Sequence, residues 1–294
     1  MTLPPPPPAP PPETHRVTVL VVTFNSAHCL PALGQGLQGL PWVTVVDNAS
    51  ADDTLAQVAT HLPLAQVMPM GRNLGFGAAN NLGWRAASTE FVLLVNPDCI
   101  CSAQAIAQLV RTADAHPGAS TVAPQLLGRR GELDISYRWR VDGWGSRGPG
   151  ASGPCCVGFV SGAVILIRRS ALQQVQGFDE GFFLYYEDED LCLRLIDQAG
   201  PIVVDPAAQV QHLSRGSVGG RQRFRAEYLR GLHHIQSKFR FRRKHLGRHA
   251  SAAQRLGYGL GAAAETLLRL LLLDGRRAAR SAGRVAGVLT YRSR

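Results

Sequence analysis

Four consecutive carboxylates lie between two tyrosines and an apolar run, in the stretch FLYYEDEDLCLR at residues 183–194. On a helix, with about 100° of rotation per residue, these four side chains point in different directions. Asp188 continues the apolar stripe that includes Leu191. Glu187 and Asp190 fall on the opposite, polar face. The pattern therefore predicts that Asp188 is turned toward the protein interior and that its neighbours face water.

Two interpretations fit this geometry. Acidic residues in the first turn of a helix complement its dipole, and Asp190 with Arg194 would then form an ordinary i,i+4 pair. Alternatively, Asp188 lines a cleft, where burial beside other carboxylates raises the pKa of a carboxyl group toward that of a general base. The acidic segment alone leaves both interpretations open.

Polar residues also follow several predicted strands, at their carboxyl ends. They are Thr23, Asn25, Asp47, Asn48, Asn73, Asn96 and Asp98. Asn and Asp are common in turns, so one such position would carry no information. In open α/β sheets, however, ligands bind in the crevice at the carboxyl ends of the strands. The recurrence of polar residues on one edge therefore predicts a binding site there.

The elements that position these residues are apolar, β-branched runs separated by helical stretches. This alternation predicts an α/β fold with a mostly parallel central sheet flanked by helices. We expect a disordered proline-rich tail at 1–15, an α/β domain at 16–245, and a basic, partly amphipathic helical extension at 246–294. The glycine-rich residues 141–155 predict a mobile loop over the site.

Charge is divided unevenly along the chain. Residues 1–210 carry 12 Lys and Arg against 18 Asp and Glu, and residues 211–294 carry 19 against 3, which gives −6 and +16. The basic part predicts contact with an anionic surface, either nucleic acid or acidic lipid. The apolar run at 261–273 is interrupted by Glu265 and Arg269 and is short for a membrane span. It predicts an interfacial helix, or else a core or dimer helix.

Other chemistries find little support in the sequence. The six cysteines form no C-x-x-C pair, so neither a zinc site nor a disulfide framework is indicated, and a reducing cytosol fits best. The proline-rich start lacks the features of a secretory signal. GFGAAN at 75–80 differs by one residue from the dinucleotide fingerprint, and no Walker loop or G-x-S-x-G motif is present.

Taken together, the motifs resemble those of a family 2 glycosyltransferase, closest to the bacterial rhamnosyltransferase-like members. The resemblance covers about residues 17–245, with all motifs in order. They are VTFN (22–25), VDNAS (46–50), GRNLGFGAANNLG (71–83), NPD (96–98), SGAVILIRR (161–169), GFDEGFFLYYEDEDLCLR (177–194) and His212. The resemblance implies a GT-A fold and an inverting transfer of a single sugar. The donor would be a dTDP- or UDP-linked sugar, with rhamnose as the candidate sugar, and the acceptor a hydroxyl of a glycan or of a polyprenyl-linked acceptor.

The resemblance also implies a role for each matching residue. Asp188 would deprotonate the acceptor hydroxyl, and Asp98, with His212 as a second ligand, would hold Mg²⁺ or Mn²⁺ at the diphosphate. Asn96 stands where many relatives carry the first Asp of a D-x-D motif, so this site has one fewer negative charge. The donor-binding residues would be Thr23, Asn25, Asp47, Asn73, Gly75, Asn80 and Asn96. The acceptor side would include Gly162, Glu187 and Asp190.

Two other functions remain as alternatives. A nucleotidyltransferase of related fold would normally show a glycine-rich loop with Lys or Arg after the first strand, and VTFNSAHC at 22–29 has neither feature. A non-catalytic nucleic-acid binder would act through the basic tail. The resemblance favours an enzyme of cell-wall or polysaccharide biosynthesis without a nucleic-acid partner. We expect it to lie in the cytoplasm, peripherally on the anionic inner face of the cell membrane.

Overall fold

The structure is a computed structural model that describes residues 9–139, 149–213, 223–247 and 250–292. Within these ranges the strands are β1 (Val17–Thr23), β2 (Val43–Asp47), β3 (Gln66–Pro69), β4 (Phe91–Val95), β5 (Cys99–Ile100), β6 (Thr121–Leu127), β7 (Leu133–Asp134), β8 (Tyr137–Arg138), β9 (Cys155–Val157), β10 (Phe159–Val160), β11 (Val164–Arg168) and β12 (Ile202–His212). The helices are α1 (Leu30–Gly36), α2 (Thr54–His61), α3 (Phe76–Ala86), α4 (Ala103–Ala115), α5 (Arg169–Gln174), α6 (Glu187–Gln198), α7 (Arg223–Leu246), α8 (Ala252–Leu271) and α9 (Gly275–Thr290).

Two predicted irregular segments fall partly outside the described residues. Most of the predicted mobile loop, at 140–148, and the first part of the predicted disordered tail, at 1–8, lie there. Within that tail, Pro12–Arg16 is a 3-10 helix in which Thr14 is buried. The prediction of disorder is therefore wrong for residues 12–15, because side-chain burial and local hydrogen bonds fix them.

The described residues form two compact units. The first comprises the described parts of Met1–Leu74, Ala79–Phe178 and Leu191–Ser217. The second comprises the described parts of Gly75–Ala78, Asp179–Asp190 and Val218–Arg294.

A ten-stranded sheet organises the first unit, with the strand order β3-β2-β1-β4-β11-β6-β12-β5 and with β7 and β9 beside β6 and β12. The strands β1 to β4 run parallel to one another, and β12 runs parallel to β6. β11 is antiparallel to both of its neighbours. The sheet is thus mixed and largely parallel, and the predicted α/β architecture is confirmed.

The sheet's core explains why the first strands form where they do. All residues of β2 and β4 are buried, as expected for continuous apolar strands covered on both faces. In the register of β1 and β2, Thr23 lies opposite Asp47 at the carboxyl end of the pair. Strand geometry therefore brings together two of the polar residues that the sequence places at strand ends.

The second unit contains the three long C-terminal helices, α7, α8 and α9. α9 packs against both α7 and α8, around a small core that includes Ile235, Phe239 and Val288. Two glycines let α7 and α9 approach closely, because a Cβ on Gly231 would lie 1.9 Å from the Arg280 carbonyl oxygen. A Cβ on Gly283 would lie equally close to the Tyr228 carbonyl oxygen. The helices predicted as an extension thus pack tightly with α7.

Candidate active site

The Asp47 carboxylate at the end of β2 is held by three hydrogen bonds within the first unit. Its Oδ1 accepts from the Thr23 hydroxyl at 2.9 Å and from the Ser50 hydroxyl at 2.5 Å, and its Oδ2 accepts from the Ser50 backbone N–H at 3.0 Å. Asp47 and Thr23 are both buried. A carboxylate has about four acceptor positions, so bonds from the described residues leave one position on Oδ2 for a further donor.

The neighbouring loop is built on Asn25. Its backbone N–H donates to the Ser50 hydroxyl at 2.8 Å, and its side-chain Oδ1 accepts from the Ala51 backbone N–H at 2.8 Å. Asn25 has a positive φ of 52°, a conformation that Asn tolerates better than most residues. The loops after β1 and β2 are therefore joined by side-chain hydrogen bonds into one rigid edge.

Asn73 joins this edge from the segment after β3. The Asn48 Nδ2 group donates to Asn73 Oδ1 at 2.9 Å, and Asn48 Oδ1 accepts from the Leu74 backbone N–H at 2.8 Å. Asn73 is half-buried, whereas Asn80, on α3, is almost completely buried. The structure thus brings Thr23, Asn25, Asp47 and Asn73 together along the ends of three adjacent strands.

Gly75 belongs to the second unit and has a positive φ of 89°. A Cβ at this position would lie 2.4 Å from the Phe183 carbonyl oxygen, and that same oxygen accepts from the Phe76 backbone N–H at 3.0 Å. The resemblance placed Gly75 among the donor-binding residues. In the structure, the space beside Gly75 is filled by the chain's own backbone.

The Asn96–Cys99 segment forms the turn that presents Asp98. The Cys99 backbone N–H donates to the Asn96 carbonyl oxygen at 3.0 Å, and the Asn96 N–H donates to the Ala163 carbonyl oxygen at 2.8 Å. Gly162, the predicted acceptor-side glycine, is the buried residue just before Ala163. The half-buried Asn96 therefore anchors the turn, and Asp98 is buried at its far side.

His212 is brought to Asp98 by the pairing of β5 with β12, in which His212 lies opposite Cys99. The His212 Nε2 atom is 3.7 Å from Asp98 Oδ1, and the His212 Nδ1 atom is 3.4 Å from Asp134 Oδ2. A carboxylate on the second ring nitrogen is the usual way to orient a metal-binding histidine. No sequence motif indicates Asp134. The pairing of β7 with β6 brings this residue to His212.

Asp98, Cys99 and His212 could together face one metal ion, since their ligand atoms all lie within 4.8 Å of one another. Burial, followed by the charge of Asp98, raises the pKa of the Cys99 thiol well above its usual range. A protonated thiol is a poor metal ligand, because the thiolate is the form that binds. Mg²⁺ and Mn²⁺ prefer oxygen and nitrogen donors to sulfur, so the carboxylate and the imidazole are the donors that suit them.

This donor set fits a divalent cation. Asp98 is a buried carboxylate that has no Lys or Arg partner among the residues that the structure describes. A buried charge without a counter-ion is costly, and a bound cation would supply the missing positive charge. Two protein ligands also match Mg²⁺, which is usually held by one or two side chains together with substrate phosphates.

The acidic residues of the second unit do not follow the predicted helical wheel. Asp190 is completely buried and Glu187 almost so, whereas Asp188 is half-buried. The prediction that Asp188 faces inward while Glu187 and Asp190 face water is therefore wrong. It failed because a helical wheel assumes a single core, and the first turn of α6 packs with a helix from much later in the chain.

That helix is α7, which covers Asp190. Asp190 Oδ1 accepts from the Lys244 ammonium group at 2.6 Å and lies 2.7 Å from His245 Nε2. Lys244 also reaches Asp179 Oδ2 at 2.8 Å. Burial opposes the ionisation of Asp179, but its bonds to Lys244 and Gly181 outweigh that effect and lower the pKa of this carboxyl group to about 2. Asp190 and Asp179 are thus both tied to basic residues of α7.

Glu187 is a buried acid whose Oε2 atom has no hydrogen-bond partner among the described residues. Burial raises the pKa of Glu187 well above its usual range, and the neighbouring charge of Asp188 adds to the effect. Glu187 is therefore favoured as the neutral acid. Asp188 remains half-buried, and its Oδ1 accepts from the Glu189 backbone N–H at 2.9 Å.

The two residues just before α6, Tyr185 and Tyr186, have positive φ angles of 69° and 67°. Bulky residues rarely adopt this conformation, which costs about 1–2 kcal/mol per residue. Two such residues in sequence indicate that the surrounding structure holds the segment in place.

α7 supplies that support from within the same unit. The Ser237 hydroxyl donates to the Leu184 carbonyl oxygen at 2.9 Å. The Phe183 ring stacks on His233, with ring centroids 4.2 Å apart. The strained segment that leads into the acidic turn is thus clamped by side chains of α7.

Comparison with known proteins adds the family. The sequence pattern described as Glycosyl transferase family 2 matches residues 18–176, and that described as Glycosyl transferase family group 2 matches residues 98–276. Both patterns describe glycosyltransferases, so the chain is a sugar-transferring enzyme. The chain belongs to glycosyltransferase family 2, and the predicted resemblance is confirmed.

Two relatives illustrate the similarity in sequence. The N-acetylglucosaminyl-diphospho-decaprenol L-rhamnosyltransferase of Mycobacterium tuberculosis is 31% identical over 210 residues, which cover 60% of this chain and 68% of the relative. The pre-mycofactocin glycosyltransferase of the same organism is 31% identical over 206 residues, which cover 68% of this chain and 43% of the relative.

Solved structures support the GT-A fold. Staphylococcus aureus TarS 1-349 has a TM-score of 0.54 at 18% identity, over 94% of this chain and 91% of the other. The mannosyltransferase PcManGT of Pyrobaculum calidifontis, solved with GDP-Man and Mn²⁺, has a TM-score of 0.56 at 17% identity, over 94% of this chain and 86% of the other.

Proposed function

We propose that this glycosyltransferase moves a single rhamnosyl group from a nucleotide diphosphate donor to a hydroxyl of a polyprenyl-diphosphate-linked glycan. The observation that carries the proposal is the strand-end site of a family 2 enzyme, in which Asp47, Asp98 and His212 are held at fixed positions. The rhamnosyl group and the lipid-linked acceptor are suggested by the mycobacterial relative. Transfer occurs with inversion, in one displacement per encounter.

The donor's nucleoside binds along the ends of β1, β2 and β3. Thr23 and Asn73 hold the side chains of Asp47 and Asn48, and Asn25 holds the backbone of the loop after β2. Asp47 offers its remaining acceptor position to the imide N–H of the base. Both uracil and thymine carry that imide, so this contact fits UDP- and dTDP-linked donors alike. A cytosine lacks the donor at this position, and we expect CDP-linked sugars to bind poorly.

Asp98 and His212 hold a divalent cation, Mg²⁺ or Mn²⁺, beside the diphosphate. When bound, the ion neutralises the charge that develops on the leaving nucleoside diphosphate. Asn96 stabilises the turn through its backbone and adds no charge, so Asp98 is the one carboxylate that the turn contributes. Affinity for the ion therefore depends strongly on the bound nucleotide.

Asp188 takes the proton from the acceptor hydroxyl as the new bond forms. Among the three acids that the sequence singles out, Glu187 is buried and favoured as the neutral acid, and Asp190 is tied to Lys244. Asp188 is half-buried, which suits a group that must meet a substrate. A positioned base of this kind contributes about 10²- to 10⁴-fold in rate.

The enzyme works peripherally on the cytoplasmic face of the cell membrane. Residues 211–294 carry 19 Lys and Arg against 3 Asp and Glu, and basic residues near an anionic leaflet contribute about 1 kcal/mol each. In the part of the chain that the structure describes, no helix is long and apolar enough to cross a membrane.

The proposal is tested by a donor panel. The purified enzyme is mixed with dTDP-rhamnose, UDP-N-acetylglucosamine, GDP-mannose or CDP-linked sugar, with and without Mg²⁺, and with a short-chain N-acetylglucosaminyl-diphospho-lipid. We expect release of dTDP and a rhamnosylated product by mass spectrometry, both dependent on Mg²⁺. Transfer from another donor would show that the donor sugar is not rhamnose. No transfer from any donor would overturn the proposal.

A further inference from the structure

Helix α8 presents its apolar side to the outside. Its exposed leucines, called here the leucine ridge, are Leu256, Leu260, Leu267, Leu268, Leu270 and Leu271. On a helix these positions span about 160°, a little under half of the circumference. An ordinary surface helix buries such a stripe. The ridge continues past the helix into Leu272 and Leu273, and Leu273 is 93% exposed.

The polar side chains of α8 lie on the opposite face and are bound within the second unit. Glu265 Oε2 accepts from the Arg284 guanidinium at 2.9 Å. The Arg255 guanidinium donates to the Tyr291 carbonyl oxygen at 3.3 Å. The Arg269 Nε atom lies 3.8 Å from Glu265 Oε1. The Arg269–Glu265 pair lies within α8 and would turn with it, but rotating α8 to bury the ridge would break its contacts with Arg284 and Tyr291. These two contacts fix the leucines in their outward orientation.

The net charge of the segment that carries the ridge selects among the surfaces that could cover it. Residues 246–294 carry nine arginines against Glu265 and Asp274. A second copy of the chain seated on the ridge would bring two such basic segments together, and like charges repel. An anionic lipid surface offers both the opposite charge and an apolar layer. Arginine side chains also suit this boundary, because their stems lie along apolar surface while the charged head stays in water.

We propose that the leucine ridge, with Leu272 and Leu273, enters the boundary between headgroups and acyl chains of an anionic bilayer, with α8 in the membrane plane. The proposal deepens the peripheral location given above, and it rests on that location. It also fits the substrate class, since a polyprenyl-diphosphate acceptor is itself held in the bilayer. An interfacial helix of this kind combines apolar burial with attraction to anionic headgroups.

Flotation with liposomes tests the proposal on the full-length protein. Vesicles of phosphatidylcholine with phosphatidylglycerol are compared with vesicles of phosphatidylcholine alone. The test variant is Leu260→Gln/Leu267→Gln/Leu271→Gln, whose positions are all exposed, so folding should be kept and is checked by circular dichroism. The matched control is Leu64→Gln, at a leucine of the first unit that is 86% exposed.

We expect the wild type and Leu64→Gln to float with the anionic vesicles and far less with the neutral ones. Burial of one leucine changes a partition coefficient by about tenfold or more, so the triple variant should partition about a thousandfold less or more weakly still. Flotation of the triple variant at the wild-type level, or no flotation of the wild type, would overturn the proposal. A dimer in light scattering that the triple variant abolishes, without flotation, would assign the ridge to self-association instead.

The result can be separated from the fate of the proposed reaction. Flotation is measured without donor or acceptor, and transfer is measured with a short-chain acceptor that is soluble without vesicles. If the enzyme floats as expected but transfers no sugar, the proposal for the leucine ridge is supported and the proposed reaction is wrong. If transfer proceeds and nothing floats, the reaction stands and the ridge has another role.

Discussion

The His212 Nε2 atom lies 3.7 Å from Asp98 Oδ1, although the two residues are far apart in the chain. The short pairing of β5 with β12 makes this contact, and Asp134 holds the other ring nitrogen. A buried carboxylate, an imidazole and a second carboxylate behind it form a site that a divalent cation can complete.

Asp98→Ala should weaken binding of the Mg²⁺–nucleotide complex while the protein stays folded. A charge contact at about 4 Å is worth up to about 4 kcal/mol at an effective dielectric of 20, so we expect a loss of about tenfold to a thousandfold. Calorimetry with dTDP and UDP, with and without Mg²⁺, measures it. Asp197→Ala, at an exposed position of α6, is the control. Unchanged, metal-dependent affinity in Asp98→Ala would remove this residue from the site.

Asp190→Ala should act on stability. The substitution leaves Lys244 and His245 facing a buried position without their carboxylate, and breaking a buried pair from one side costs about 3–5 kcal/mol. Lys244 keeps Asp179 as a partner, so we expect the lower end of this range. Urea unfolding gives the change, with Asp197→Ala again as control. A loss below about 1 kcal/mol would show that the pair contributes little.

The failed prediction for α6 shows what sequence alone can and cannot give. The strands, their order along the chain and the polar residues at their ends follow from local patterns, and the structure confirms that Thr23 meets Asp47. The burial of Asp190 depends on Lys244 and His245, more than fifty residues later, and no local periodicity contains them. The same holds for Asp134, which has no motif and reaches His212 through strand pairing.

Glu187→Gln should change how stability depends on pH. The unfolded carboxyl group ionises near its ordinary pKa of 4.5, whereas burial raises the folded pKa well above that value. Above about pH 4.5 the unfolded chain therefore releases a proton that the folded chain keeps, and stability falls as pH rises toward the folded pKa.

The Gln variant lacks this penalty. Melting curves taken between pH 4 and pH 7 measure the difference. We expect the melting temperature of the variant to equal that of the wild type near pH 4 and to exceed it at pH 7. Asp197→Asn, at an exposed position of the same helix, should leave the wild-type pH dependence in place. Parallel curves for the wild type and Glu187→Gln would show that Glu187 ionises normally in the folded protein.

Gly75→Ala should destabilise the enzyme, and Gly71→Ala should not. A Cβ on Gly75 would lie 2.4 Å from the Phe183 carbonyl oxygen at a φ of 89°, whereas a Cβ on Gly71 meets nothing within 4 Å. The left-handed conformation alone costs a non-glycine residue about 1–2 kcal/mol, and the steric contact adds to it. Thermal melting compares the two variants. Equal melting temperatures would mean that the backbone at Phe183 shifts to accommodate the added Cβ at little cost in stability.

The catalytic role of Asp188 is tested most directly by the turnover of Asp188→Asn, measured beside its donor affinity. With dTDP-rhamnose, Mg²⁺ and the short-chain acceptor, we expect turnover to fall by about 10²- to 10⁴-fold. Donor affinity in calorimetry should stay nearly unchanged, because the base acts on the acceptor. Glu189→Gln serves as the control and should keep its turnover. Near-normal turnover of Asp188→Asn, above all with inactive Asp190→Asn, would contradict the assignment of the base.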